Sequence, residues 1–325
     1  MSRTMRKRMK TEQIIVIGVA LIGVLIATYW EASCGVFSKK KEITQEVLAI
    51  GKERPPLWIF YNDGQVNSRF WSDFGARSSR VLNIPLLNIL YETIVKANGD
   101  DYRIEVIGGI QGVAELLGYD ALPRRLQNFK ATVGVAEEDW IRTAVLANFG
   151  GLWVSPSVVC VKGFGSLPDD KLVLFGQNDV PMYGTSVPGF RVMWAPSPKN
   201  PYLIEWESRI RDRLESQLGG LQIRGDAKSD WVELCKDKDD IEWRPYDELS
   251  RDPKTQKKIQ LEDLFAKTIH GAVPFEIPEC SKYIVVPYND LVTRTSYGWV
   301  LQSSEEHLLT SDLALTCIVK DVLDL

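Results

Sequence analysis

Asp139 and Arg142 are three residues apart, a spacing that puts an acid and a base on one face of a helix. Ile141, Val145 and Leu146 fall on the other side at core spacing. Gly150-Gly151 then stops the helix, because glycine takes the left-handed cap conformation at little cost. Leu152-Trp153-Val154 follows as a short buried strand, and Ser155-Pro156-Ser157 breaks it. Polar groups at the end of a buried strand, beside a helix bearing an Asp and an Arg, frame a ligand site. The same pattern without a ligand is a plain helix-turn-strand core unit.

Other candidate chemistry is thinner. The chain has no Walker loop, no GxGxxG and no HExxH. Gly108-Gly109-Ile110-Gln111-Gly112 lacks the spacing of a dinucleotide fingerprint and reads as a turn after a strand. The acid pairs Asp100-Asp101, Glu137-Glu138, Asp169-Asp170 and Asp239-Asp240 read as solvated charge in turns or on surfaces. Two histidines, His270 and His307, exclude a histidine-rich zinc site, and neither accompanies a nucleophile elbow. Five cysteines, with no CxxC pair, read as free and mostly buried thiols, with a disulfide left open. A net charge of -4 argues against nucleic acid as the main partner.

The elements that must position these residues follow a regular order. Leu57 to Tyr61 is a continuous apolar run of buried-strand length, with a turn signal at Asn62-Asp63-Gly64. Leu86 to Val95 is helical, and Tyr102 to Ile107 is the next strand. Strand, helix, strand is a βαβ unit and implies a parallel sheet. Helical pieces follow at Val113–Leu117 and Leu122–Phe129, then strands at Leu172–Gly176 and Arg191–Ala195. Tyr202–Leu218 is an amphipathic helix with Leu203, Trp206, Ile210 and Leu214 inward. Gly225–Lys258 reads as a charged surface excursion. A short helix at Leu261–Ile269, a strand at Tyr283–Pro287 and a closing helix over Leu308–Leu325 complete the pattern.

Ahead of this body lies a different stretch. Residues 1–12 form a basic tail, and 13–30 an apolar run whose stretch from Ile14 to Trp30 holds no charge. That length is at the short end for a bilayer span, and Tyr29 and Trp30 fit an interfacial belt. The basic flank predicts a single-pass anchor with the N-terminus cytoplasmic and the body on the opposite side. A cleaved signal peptide competes, but Tyr29-Trp30-Glu31 is a poor cleavage neighbourhood. Residues 31–54 read as a stem and 55–325 as the folded body.

The pattern Asp139-x-x-Arg142-x-x-x-Leu146-x-x-x-Gly150-Gly151-Leu152-Trp153 resembles the signature of the capsular polysaccharide synthesis proteins, which group with the DXD-type sugar transferases. Pro55-Pro56-Leu57-Trp58-Ile59-Phe60-Tyr61 is similar to that family's first strand, which holds the nucleotide base. The similarity runs over about residues 55–215. It implies an α/β body of GT-A type, a mostly parallel sheet flanked by helices, behind the transmembrane helix. It also implies transfer of a sugar from a nucleotide sugar to a glycan acceptor. Donor contacts would come from Asp139, Arg142, Trp58, Tyr61, Gly150, Gly151, Ser155 and Ser157. In such enzymes carboxylates after the strand hold Mn2+ or Mg2+, which neutralises the leaving diphosphate. Ser155 and Ser157 stand there instead, and hydroxyls are poor ligands for these cations. Similar degeneration is associated with relatives encoded by large DNA viruses. Two readings therefore stand: a membrane-anchored glycosyltransferase working without a metal, or a catalytically inactive transferase fold serving as a membrane-tethered structural or virion-associated component.

Overall fold

Strand β1 (Pro56–Tyr61) begins the body, and its side chains alternate between two hydrophobic cores. Leu57, Ile59 and Tyr61 face one core; Trp58 and Phe60 face the other, as the twofold period of a strand requires. The structure is a computed structural model and describes residues 54–62, 85–180, 185–216, 230, 233–234, 238–268 and 271–325. The tail, the span at 13–30, most of the stem and the Asp63-Gly64 turn lie outside these residues. Among the described residues no helix is long and apolar enough to cross a membrane.

Helix α1 (Pro85–Asn98) and strand β2 (Arg103–Gly108) complete the expected βαβ unit, with β1 and β2 parallel and Pro56 opposite Arg103. Helix α2 (Gly109–Leu117) starts directly at the end of β2. The Gly108–Gly112 segment is therefore the beginning of a helix rather than a free turn. The piece at Leu122–Phe129 is only a 3-10 turn over Arg124–Gln127.

Helix α3 (Val135–Phe149) leads into β3 (Gly151–Val154), which lies parallel beside β1. The double glycine is needed for this approach. Gly150 and Gly151 have φ of +65° and +96°, and a Cβ on Gly151 would stand 2.4 Å from the Pro56 carbonyl oxygen. After β4 (Val158–Cys160), β5 (Leu172–Phe175), the hairpin β6 (Asn178–Val180) and β7 (Thr185–Val187), and β8 (Val192–Ala195), helix α4 (Pro201–Ser216) packs on α3.

The predicted surface excursion corrects itself at β9 (Ile241–Arg244), which is the edge strand of the main sheet. Its charged Glu and Arg positions suit an edge, where one flank meets solvent, so the sequence looked like surface. The main sheet runs β2-β1-β3-β8-β5-β9. It is mostly parallel, but β8 runs antiparallel to both β3 and β5. Helices α2, α3 and α4 cover one face. On the other lie α1 and a three-stranded sheet of β10 (Glu248–Leu249), β11 (Tyr283–Val285) and β4.

The remaining helices are short. Helix α5 spans Leu261–Leu264, less than expected; α6 (Tyr288–Thr293) and α7 (Gly298–Gln302) were not foreseen. The closing helix is two helices, α8 (Glu305–Thr310) and α9 (Ala314–Leu323), because the Thr316 hydroxyl bonds Leu313 and Ser311 backbone at the break.

Candidate functional site

One end of the main sheet gathers the polar residues. Tyr61 ends β1, Ser155 follows β3, and Arg191 precedes the antiparallel β8, whose Val192 lies opposite Val154. Running β8 backwards thus brings its start to the carboxyl ends of β1 and β3, where open α/β sheets bind ligands. A cleft of about 430 Å³ opens there, walled by the first half of α3, by Ser155-Pro156-Ser157, by Phe190-Arg191 and by Val286–Asp290.

Helix α3 supplies three charged side chains to this cleft: Glu138, Asp139 and Arg142. Asp139 and Arg142 share a face as expected, and they form an ion pair with each other. The helix is buried nearly all round, so Ile141, Val145 and Leu146 lie in the core but Arg142 is also only 5% exposed. Its guanidinium lies 5.8 Å from the Phe190 ring centre and 5.7 Å from that of Trp206. The Arg142 Nε–H remains buried without a partner. Trp153, on the cleft floor, likewise buries its indole N–H without a partner.

The pair Glu137-Glu138 corrects the reading of solvated charge. Glu137 is buried, accepts a hydrogen bond from the Gly134 N–H at 2.9 Å and pairs with Arg125 at 2.6 Å, capping α3. Glu138 is half-buried in the cleft. Desolvation raises its carboxyl above the ordinary range, against the pull of Arg142 and Arg191.

Ser155 and Ser157 both line the cleft, their hydroxyl oxygens 3.0 Å apart. Their loop is pinned by Ser155 N–H donating to the Arg191 carbonyl at 2.8 Å and by the Ser157 carbonyl accepting from Val286 at 2.9 Å. These residues do not fit a catalytic divalent cation. The donors at the strand end are two hydroxyls, and the one carboxylate of the signature is held by Arg142. Among the described residues no three His, Cys, Asp or Glu side chains are grouped to hold a metal.

The expected donor residues do not all meet. Asp139, Arg142, Tyr61, Ser155 and Ser157 line the cleft; Trp58, Gly150 and Gly151 do not. The glycines sit at the opposite end of β3, and the Trp58 indole N–H donates to the Gly150 carbonyl at 2.8 Å. Those three residues lock the turn that seats β3 against β1. In Tyr61, burial pushes the phenol well above its ordinary range, leaving it a neutral hydroxyl.

Sequence reasoning missed Arg191 and Lys258, which both line the cleft and form no ion pair among the described residues. Lys258 also borders a second cleft, of about 530 Å³, whose lining includes Arg191, Asn178, Glu248 and Tyr246. One signal for Glu138 was present: it lies four residues before Arg142, on the same helix face.

No protein-family model matches the chain, and no curated protein matches it in sequence. Solved structures that match include a glycosyltransferase called PaToxG, at 13% identity and TM-score 0.37, over 60% of this chain and 77% of that one. Another is the apo glycosyltransferase GlyE of Streptococcus pneumoniae TIGR4, at 11% identity and TM-score 0.30, over 60% of this chain and 46% of that one. A third is described as a transferase mutant, at 13% identity and TM-score 0.31, over 58% of this chain and 90% of that one. Superpositions this loose leave any assignment of activity to the site itself.

Proposed function

We propose that the protein is a glycosyltransferase whose cleft binds the diphosphate of a nucleotide sugar through protein cations rather than through a metal. One observation carries the reading. The cleft is lined by two cations without ion pairs among the described residues, Arg191 and Lys258, beside the Arg142 guanidinium. A ligand rich in anionic oxygens would meet this unneutralised charge with charge-assisted hydrogen bonds. Charge developing on a departing diphosphate would be met by the same groups. Tyr61 and Asn62, at the end of β1, border the cleft where the family resemblance expects the base. The Asp139-x-x-Arg142 signature favours a role in glycan synthesis, and the apolar run at 13–30 favours a bilayer anchor that holds the body at a membrane.

The hydroxyl pair at Ser155 and Ser157 also supports the second reading, an inactive transferase fold tethered to a membrane. Titration calorimetry with UDP-glucose and GDP-mannose, in Mn2+ and in chelator, tests the first. We expect binding of at least one donor, changed by less than about twofold in chelator. Joint substitution of Arg191 and Lys258 by Ala should weaken it roughly tenfold or more. An absence of binding in both conditions, or binding only with Mn2+, would refute the metal-free donor site.

A further inference from the structure

We propose that the second cleft seats the acceptor of the transfer, a hydroxyl-bearing sugar, and that Glu248 takes the proton of the attacking hydroxyl. This rests on the transferase reading above. The two clefts share Asn178, Arg191, Lys258 and Pro287, so ligands in each would meet along one wall. The second cleft offers Tyr246, 77% exposed, as an aromatic surface, with Ser250 and Gln256 as polar neighbours. Such a mixture suits the apolar faces and hydroxyl edges of a sugar.

Glu248 lines the second cleft beside that wall. It is 6% exposed, and the chain clears space around it with two glycines. A Cβ on Gly176, whose φ is +73°, would stand 2.0 Å from Glu248 Oε2, and one on Gly189 would stand 2.8 Å away. Gly189 itself lines the first cleft, so that carboxylate oxygen sits immediately behind the donor side. The Tyr283 hydroxyl donates to the same oxygen at 3.0 Å. A purely structural part for Glu248 would be to join β10 to β11 through Tyr283. A neutral glutamine would make that bond without the cost of burying a carboxylate. Burial raises the carboxyl above its ordinary range, opposed by Arg191, the Tyr283 bond and Lys258, which improves it as a base.

In the step, the acceptor O–H bond breaks and its proton passes to the Glu248 carboxylate. The oxygen's electron pair forms the bond to the anomeric carbon. The carbon–oxygen bond to the diphosphate breaks, and its pair leaves with the nucleoside diphosphate, facing Arg191 and Lys258. Glu248 returns the proton to water after release.

The test measures donor binding and then transfer from the donor that binds to a panel of methyl glycosides, over about pH 5 to 9. Glu248→Gln is expected to leave donor binding at least as tight as in the wild type and to lower kcat roughly 100-fold or more, with loss of the acidic limb of the profile. Tyr283→Phe removes a bond that lowers the Glu248 pKa, so the acidic limb should move to higher pH. Donor binding with no transfer by the wild type, a Glu248→Gln variant within about threefold of wild-type kcat, or an unmoved limb in Tyr283→Phe would overturn the role of Glu248. Failure of any donor to bind would instead remove the transferase reading itself.

Discussion

Glu138 shows how a single residue sets the character of the cleft. Its carboxyl is raised by desolvation, so it becomes neutral at a higher pH than an ordinary glutamate. When neutral it no longer opposes Arg191; when ionised it cancels part of that residue's field. Diphosphate binding should therefore be tightest on the acid side and weaken as pH rises through the raised pKa. Glu138→Gln should abolish that step and tighten UDP binding at neutral pH by roughly threefold to tenfold. Calorimetry at a series of pH values reads both effects, and a variant that keeps the wild-type pH step would exclude Glu138 as its source. Asp139 holds Arg142, whose ring contacts with Phe190 and Trp206 fix the guanidinium in the cleft wall. The pair was readable because helix spacing is local. Arg191 and Lys258 were not, since each comes to the cleft from a distant part of the chain.

At the scale of elements, the junction between α3 and β3 decides whether the cleft exists. Gly150 and Gly151 do not touch it, yet they let β3 approach β1 closely enough to carry Ser155 to the end of β1. Gly151→Ala would place a Cβ 2.4 Å from the Pro56 carbonyl and 3.1 Å from Trp58 Nε1, at a φ of +96°. It should cost about 3 kcal/mol or more, a fall in Tm of roughly 6–12 °C, read by thermal denaturation. A variant as stable as the parent would show that the strand can slide away from β1. The double glycine was legible as a helix stop because its conformational need is local. The resemblance assigns it to the donor, whereas the turn lies one strand length from the cleft. Edge strand β9 was missed for a related reason: half of its surface is solvent, so its charges resemble those of a loop.

For the whole molecule, residues 55–325 form one unit with their own two-sided core. A chain starting at Pro55 should unfold in a single urea transition, coincident by tryptophan fluorescence and circular dichroism. The full chain, if anchored through 13–30, should stay with membranes through alkaline carbonate washing, while the Pro55 fragment should not. Release of the full chain would refute the anchor. The sequence by itself determined the βαβ opening, the α3–β3 unit, the amphipathic α4 and the placing of Asp139 beside Arg142. All follow from local periodicity and from the backbone needs of glycine. Only the tertiary structure decided which polar groups share a site. The antiparallel course of β8 carries Arg191 to the carboxyl ends of β1 and β3, and the second sheet brings Glu248 behind Gly189. Strand direction and sheet order are set by the packing of distant segments, and no window of sequence contains them.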